Sequence, residues 1–269
     1  MFGRQLARQP PADADVAEIV DDIAKYIPVI SMHRWTRICR RSQNPNIYYS
    51  SPTRHSVDLT MLTSCTDCPR LASFLAEVRQ THPDYFARPV PPFGDPRARF
   101  LIVGLAPGMH GANRSGRPFT GDHAGILLYE TLHHYGFGSR PVSTAVDDGL
   151  ELIDCRITNA VKCLPPQNKP EPGEIRLCNR HLAEELRDAP EVRVILALGN
   201  VAHKAVLMAL GLKQSACVFG HAARHELPDG RILFDSYHCS RYNTQTRRLT
   251  RDSFAAVFED IRSELARLA

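Results

Sequence analysis

The sequence predicts an α/β fold, a three-layer αβα sandwich around a central, mostly parallel sheet of four strands. Four apolar runs alternate along the chain with segments of helical spacing, as in parallel sheets that helices cover on both faces. The runs are continuously apolar, which is typical of strands buried on both faces. They span 99–105, 156–162, 192–198 and 231–237.

Five segments between and around these runs have the periodicity of helices packed on a sheet. They are 69–80, 123–136, 174–188, 200–211 and 251–268. The last has the clearest pattern, with one apolar face made of Phe254, Val257, Phe258, Ile261, Leu265 and Leu268. These helices complete the two outer layers of the predicted sandwich.

The length of 269 residues and the 43% hydrophobic content suit one large domain, which we predict over residues 61–269. Residues 1–60 form an N-terminal extension with one helical pattern, VAEIVDDIAKYI, among polar and proline-containing segments. We expect this extension to be poorly ordered or to reflect a mis-annotated start, with Met61 as the true start. Arg40 and Arg41 are candidate DNA contacts, but a solvated leader is the favoured interpretation.

Composition limits the classes of partner and compartment. The net charge of +4 permits an anionic partner such as DNA without requiring one. No apolar run reaches the roughly 18 residues that span a membrane, and no secretory pattern is present. We therefore predict a cytoplasmic protein with no membrane partner, and we expect a monomer. Eight cysteines without a secretory signal indicate metal binding and buried thiols rather than disulfides.

The stretch 99–122, RFLIVGLAPGMHGANRSGRPFTGD, is the most informative part of the chain. A buried strand ends here in a loop punctuated by glycine and proline, which can turn sharply and approach a ligand closely. Ligands of parallel sheets bind at the carboxyl ends of strands. The polar and aromatic side chains of the loop are therefore candidate site residues, namely His110, Asn113, Arg114, Arg117, Phe119 and Asp122. An ordinary surface loop is the alternative.

Four cysteines have the pattern of one metal site. Cys65 and Cys68 form a CxxC before a helix, and Cys163 and Cys178 flank a proline-rich loop. Four thiolates suit zinc or an iron-sulfur cluster. Fourteen residues separate Cys163 from Cys178, which favours a cluster over a zinc ribbon with a second short CxxC. The alternative for Cys178 is a core thiol on a helix face shared with Ile175, Leu182 and Leu186.

Four motifs in this order resemble the iron-sulfur uracil-DNA glycosylases. They are CTDCPRL, GLAPGMHGANRSGRPFTGD, ITNAVKCLPPQNKP followed by a cysteine in the next helix, and SYHCSRYNTQTRRLT. The resemblance covers about residues 62–268. Leu105 replaces the glutamate of the family 4 enzymes, and the Gly-Asp ending of the loop is closer to family 5, so family 5 is preferred.

The resemblance implies a monofunctional DNA repair glycosylase that hydrolyses the N-glycosidic bond of uracil, and of other deaminated bases, and that carries a 4Fe-4S cluster on the four cysteines. An enzyme of this kind flips the nucleotide into a pocket. The family motifs assign base stacking to Phe119, base recognition to Asn159 and leaving-group stabilisation to His238. Gly104, Ala106 and Gly108 would let the backbone approach the substrate. The alternatives are a core phenylalanine for Phe119, a structural asparagine for Asn159 and a structural histidine for His238.

The attacking water lacks its usual positioning group, because Leu105 and Ala106 occupy the positions where related families carry a polar residue. Asp122 is the best substitute, since a carboxylate can orient water and stabilise a cationic sugar. The alternative is that Asp122 only caps the following helix. Asn113 and His110 are further candidates for positioning the water.

The segment after His238 contains arginines suited to DNA phosphates, namely Arg241, Arg247 and Arg248. A charged surface loop is the alternative. The segment departs from the family pattern at two positions, with Cys239 where proline is common and Arg247 where glycine is frequent. Loop conformation and DNA affinity are therefore harder to predict than base recognition.

Two other functions remain open at this point. One is a non-catalytic iron-sulfur DNA-binding module of the same fold, which the apolar Leu105 and the unusual His-Cys-Ser sequence permit. The other is a zinc-stabilised nucleotide-binding protein that uses the glycine loop for phosphate. The absence of GKS or GKT after the glycines argues against this last function.

Overall fold

A computed structural model describes residues 37–38 and 59–268 of the chain. Its sheet has seven strands in the order β1-β6-β7-β5-β3-β4-β2. The strands are β1 (Arg37–Ile38), β2 (Phe93–Gly94), β3 (Phe100–Gly104), β4 (Cys155–Asn159), β5 (Val194–Leu198), β6 (Arg224–Glu226) and β7 (Ile232–Ser236). The predicted helix VAEIVDDIAKYI, Arg40 and Arg41 lie outside the described residues.

The four predicted strands are the parallel centre of this sheet, in the order β7-β5-β3-β4. The prediction of a four-stranded sheet is corrected at the edges, where β1, β2 and β6 extend it. Strands β2 and β6 pair antiparallel with β4 and β7. These edge strands are two or three residues long, which is too short for their periodicity to be recognised in the sequence.

All five predicted helices are present, with ends within about two residues of the prediction. The helices are α1 (Leu59–Thr63), α2 (Pro69–Thr81), α3 (Ala112–Ser115), α4 (His123–His134), α5 (Pro172–Arg187), α6 (Asn200–Ala209), α7 (Arg241–Gln245) and α8 (Arg251–Arg267). The short α1, α3 and α7 were not predicted. Met61, the predicted start, lies within α1.

Two apolar clusters define the predicted three layers. On one face of the sheet, Phe100 and Ile102 of β3 pack with Leu128 of α4 and Phe258 of α8. On the other face, Leu101 of β3 and Ile195 of β5 pack with Leu182 of α5 and Val206 of α6. Alternate residues of one strand reach both layers, which explains why the runs are continuously apolar. No helix within residues 59–268 is long and apolar enough to cross a membrane.

A third apolar cluster joins α2 to the chain after β4. Leu71, Leu75 and Val78 of α2 pack with Val161 and with Leu164. Cys163 and Cys178 belong to this cluster as well. The cluster brings the CxxC segment, which precedes α2, beside the second pair of cysteines.

Candidate functional site

The parallel register brings the ends of β3 and β4 together. Gly104 and Asn159 are the last residues of their strands and lie opposite each other. A Cβ on Gly104 would overlap the Asn159 Oδ1 and would lie 2.7 Å from Cζ of Phe119. A glycine is therefore required where the amide and the ring approach the strand end.

Phe119 is held against this strand end by an unusual backbone conformation. Its φ is +58°, in the left-handed region, and its side chain is 5% exposed. A Cβ on Gly125 of α4 would overlap the Phe119 carbonyl oxygen, so that glycine lets the loop lie on the helix. The ring stacks with His238, with centroids 6.0 Å apart and planes at 26°. Phe119, Asn159 and His238 therefore converge on one edge of the sheet.

Asn159 is buried with its carbonyl group unused. The residue is 3% exposed, and its Oδ1 has no hydrogen-bond partner within the described part of the chain. Oδ1 of Asn113 and Nδ1 of His123 are buried without partners in the same way. Leaving a buried polar group unpaired costs about 1–3 kcal/mol, so such groups call for a ligand or water.

Asp122 occupies the N-cap position of α4, but its side chain makes no capping hydrogen bond. The carboxylate turns to the glycine loop instead, where Oδ2 accepts from the backbone N–H of Ala112 at 3.1 Å. A Cβ on Gly108 or Gly111 would overlap the carboxyl group. Burial raises the pKa of Asp122, while the N–H groups of Ala112 and Gly108 oppose that increase. The geometry therefore differs from the helix-capping alternative.

His238 lies two residues beyond β7 and has a neutral ring at physiological pH. Burial lowers the pKa of His238 to about 4. Its carbonyl oxygen accepts from Nδ2 of Asn243 at 2.8 Å, which fixes the backbone beside α7. The adjacent Cys239 is fully buried, and burial raises the pKa of its thiol to about 12. Cys239 is therefore an uncharged core residue.

Two loop side chains selected from the sequence have other surroundings. Arg117 is 3% exposed and binds Asp148 at 2.6 Å and the Thr120 hydroxyl at 2.9 Å, so it fastens the loop to the 144–148 segment. His110 is exposed and hydrogen-bonds the Tyr85 hydroxyl through Nδ1 at 2.8 Å. Asn113, by contrast, is fully buried, with its Nδ2 donating to the Met109 carbonyl at 3.5 Å.

The three candidate phosphate contacts are exposed around α7. Arg241 begins this helix, while Arg247 and Arg248 follow it. The Arg248 guanidinium lies 4.3 Å from the centroid of the Tyr237 ring. Arg247 has a φ of +57°, a left-handed conformation that favours glycine.

The four cysteines line one pocket between α2, α5 and the chain after β4. Cys163 and Cys178 are buried, whereas Cys65 and Cys68 are partly exposed. Burial raises the pKa of Cys68 to about 11, and the negative charge of Cys178 and Cys65 adds to the effect. Cys178 lines this pocket and also belongs to the apolar cluster, so its position agrees both with a metal ligand and with the core-thiol alternative.

The donor set of this pocket is four cysteine sulfurs. Tetrahedral zinc with Zn–S bonds of about 2.3 Å requires its sulfurs to lie about 3.8 Å apart. Within residues 59–268, no three cysteine sulfurs lie within 4.8 Å of one another. An iron-sulfur cluster holds its thiolates further apart, because iron and sulfide lie between them. Four cysteine sulfurs that line one pocket are therefore a donor set that an iron-sulfur cluster can use.

Sequence reasoning missed several residues that the structure places near these sites. Arg180 and Asp67 lie beside the cysteines, and His123 lies next to Asp122. His203, His225 and Asp235 form the one compact group of potential metal-ligating side chains in the described part, with ligand atoms within 4.8 Å. Gly125, which contacts the Phe119 carbonyl oxygen, was also missed, although a glycine within a predicted helix is a sequence signal.

Comparison with known proteins agrees with the sequence resemblance. The model of the uracil DNA glycosylase superfamily matches residues 91–262. A type-5 uracil-DNA glycosylase of Thermus thermophilus is 53% identical over 201 residues, covering 73% of this chain and 91% of that protein. The type-5 enzyme of Pyrobaculum aerophilum is 42% identical over 200 residues, covering 73% and 87%.

Type-4 relatives are more distant. A type-4 uracil-DNA glycosylase of Sulfurisphaera tokodaii is 31% identical over 176 residues, covering 63% of this chain and 73% of that protein. The preference for family 5 over family 4, which rested on Leu105 and on the Gly-Asp ending of the loop, is confirmed. The chain belongs to the uracil-DNA glycosylase superfamily, and within it to the type-5 group.

Proposed function

We propose that this protein is a monofunctional uracil-DNA glycosylase, which hydrolyses the N-glycosidic bond of uracil in DNA and leaves an abasic site. The observation that carries the proposal is the buried, unpaired Oδ1 of Asn159 beside the Phe119 ring. An aromatic face and an unused amide at a strand end suit a flat base with polar edges. A monomer acting on DNA in the cytoplasm is the setting that we propose.

Recognition requires the base to leave the duplex. Phe119 would stack on the flipped base, and such stacking contributes about 1–3 kcal/mol. The Asn159 amide would donate from Nδ2 to uracil O4 and accept from N3–H at Oδ1. Cytosine reverses both groups, so it would leave the amide unsatisfied. Gly104, Ala106 and Gly108 would keep the loop backbone close to the base and sugar.

Bond cleavage transfers the glycosidic electron pair to the uracil ring. His238 would donate a hydrogen bond to O2, where negative charge develops, and so stabilise the transition state more than the ground state. A low pKa suits this role, because a neutral imidazole donates its N–H hydrogen bond to O2 without transferring the proton to the uracil anion. The Phe119 ring stacked on His238 supports its orientation.

Water must then add to C1′ of the sugar. Asp122 would orient this water and accept its proton, while its negative charge stabilises the cationic sugar. Burial raises its pKa and so favours proton uptake. The Ala112 N–H on Oδ2 holds the carboxylate in place. Asn113, with its unpaired Oδ1, is the alternative for orienting water.

We propose a 4Fe-4S cluster on Cys65, Cys68, Cys163 and Cys178. The cluster would cross-link the CxxC segment to the chain that follows β4. Because Cys163 is four residues after Asn159, this cross-link also restrains the base-recognition strand. Hydrolysis transfers no electrons, so a structural role is sufficient. Arg241, Arg247 and Arg248 would bind phosphates flanking the flipped nucleotide.

The test is a single-turnover assay on a labelled oligonucleotide with one uracil, followed by alkali. Cluster-loaded protein should give one break at the uracil position, and matched thymine and cytosine oligonucleotides should stay intact. His238→Ala should slow release by about 10²–10³-fold while leaving DNA binding unchanged. Binding without any release by the wild type would favour a non-catalytic DNA-binding module instead.

A further inference from the structure

Arg180 connects the two halves of the cysteine site. It lies on α5, two residues after Cys178, and its Nη2 donates to Sγ of Cys65 at 3.6 Å. The same guanidinium forms an ion pair with Asp67, which lies between the two cysteines of the CxxC. One side chain from the second half of the site therefore contacts two residues of the first half.

Cys65 is the ligand at which such a contact has most effect. Cys163 and Cys178 are buried in the apolar cluster with α2, whereas Cys65 is partly exposed. The buried side already has its own support, because the backbone N–H of Lys162 donates to Sγ of Cys178 at 3.3 Å. Arg180 supplies the corresponding hydrogen bond on the open side.

A simple surface ion pair is the competing explanation. The Arg180 and Asp67 side chains are 49% and 38% exposed, and pairs of this kind contribute about 0–1 kcal/mol to stability. That explanation accounts for the contact with Asp67 but gives no role to the donation to Cys65. A cationic donor beside a thiolate ligand stabilises its negative charge and affects both cluster retention and potential.

We infer that Arg180 is a positioning residue of the cluster, which closes the CxxC segment over it by binding Cys65 Sγ and Asp67 together. The inference rests on the proposed cluster. The guanidinium would slow the release of the iron that Cys65 holds. It would also raise the reduction potential, because added positive charge favours the more negative, reduced cluster.

The experiment follows cluster loss from the full-length, anaerobically loaded protein. Iron and sulfide are quantified first, and the visible absorbance is then followed after addition of an iron chelator. Arg180→Gln should lose the cluster at least about tenfold faster than the wild type, the size expected for removing an outer-sphere partner. Redox titration should give a lower midpoint potential for Arg180→Gln.

Two further variants make the result specific. Arg176→Gln, at an exposed arginine on the same helix, is the matched control and should behave as the wild type. Asp67→Asn keeps the donor to Cys65 but removes the ion pair, so its rate of cluster loss should lie between those of the wild type and Arg180→Gln. Its midpoint potential should not fall below that of the wild type, because this variant removes a negative charge. Circular dichroism of the freshly loaded proteins checks that each variant is folded.

The outcomes separate the inference from the proposed function. If the wild type carries a cluster and Arg180→Gln matches Arg176→Gln in both decay and potential, the inference is wrong and the cluster stands. If the wild type contains zinc or no iron and sulfide, the proposed cluster is wrong, and the role of Arg180 is refuted with it. Uracil release by the wild type is scored separately.

Discussion

Two groups of buried polar side chains differ in how well they are paired. Oδ1 of Asn159 at the end of β4, Oδ1 of Asn113 in α3 and Nδ1 of His123 at the start of α4 are buried without a partner in the described residues. Asn113 and Asn159 belong to the family motifs, and His123 directly follows the loop motif. Here the chain places polar atoms that it does not itself satisfy.

Between β6, β7 and α6 the opposite holds. Asp235 accepts from Nδ1 of His203 at 2.7 Å, Nε2 of His225 at 3.1 Å and the N–H of Gly220 at 3.4 Å. Nε2 of His203 faces the Cys217 carbonyl oxygen at 3.1 Å. Both nitrogens of His203 therefore lie within hydrogen-bond distance of an oxygen atom. Within this network, only Nδ1 of His225 lacks a partner in the described residues.

The difference shows how a ligand-binding site can be distinguished from a hydrogen-bond network that stabilises the fold. A buried polar atom without a partner costs stability, which is recovered when a ligand or a water molecule supplies the partner. A paired network stabilises one packing arrangement. We therefore expect substitutions at the first group to reduce activity with small effects on stability, and substitutions at the second group to do the reverse.

The largest effect is expected for Asp122→Asn, which should slow uracil release by about 10²–10⁴-fold. An asparagine still accepts from the Ala112 N–H, so the loop keeps its conformation, but it cannot take the proton of water. Single-turnover rates with excess enzyme measure this effect, and thermal denaturation should change little. A rate equal to the wild type would transfer the water-positioning role to Asn113.

Asp235→Asn should lower the free energy of unfolding by about 3–5 kcal/mol, because it removes the charge that pairs with His203 in a dry interior. Chemical denaturation measures the loss. Well below the transition, the folded variant should release uracil within about twofold of the wild-type rate. Lost activity with unchanged stability would place this network in the site and would refute the comparison.

The sequence specified the centre of the fold more completely than its edges. Helices such as α5 and α8 have long periodic patterns and were predicted closely, because many residues contribute to each pattern. The three added strands are stabilised by pairing with β4, β6 and β7 rather than by their own residues. A two-residue strand such as β2 has no local signal that distinguishes it from a turn.

The candidate site was predictable where a motif places a residue and unpredictable where a distant contact orients it. Asn159 and Phe119 were found from their motifs. The direction of the Asp122 carboxylate was not, because an aspartate before a helix has the same sequence whether it caps that helix or binds the preceding loop. Arg117 was predicted as a site residue, but its pairing with Asp148 was not predicted, and Arg180 was missed. In both cases the partner, Asp148 or Cys65, is distant along the chain.

The pH dependence of the free energy of unfolding should show whether the His238 ring is buried. Its pKa is about 4 in the folded protein and about 6.5 in the unfolded chain, so the unfolded state binds more protons between these values. Stability should therefore fall as pH decreases from about 6.5 to 4, by about 3 kcal/mol from this group. His238→Asn should remove that part of the slope. An unchanged slope would mean that the ring is solvated.

The smallest effect is expected for Arg247→Gly. Arg247 has a φ of +57°, and the left-handed conformation costs a residue with a Cβ about 1–2 kcal/mol relative to glycine. Glycine also gains freedom in the unfolded chain, so the net increase in stability should be about 0.5–1 kcal/mol. Chemical denaturation at two pH values should detect it.

The same variant should bind DNA more weakly if Arg247 contacts a phosphate. The slope of log affinity against log salt should fall by about 0.9, the value for one lost phosphate contact. Arg241→Ala is the matched control, because Arg241 is exposed in α7 and should lower the slope without the gain in stability. Greater stability with an unchanged salt slope would mean that Arg247 neither stabilises the fold nor contacts a DNA phosphate. A joint change would mean that this chain retains a strained residue because its charge binds DNA.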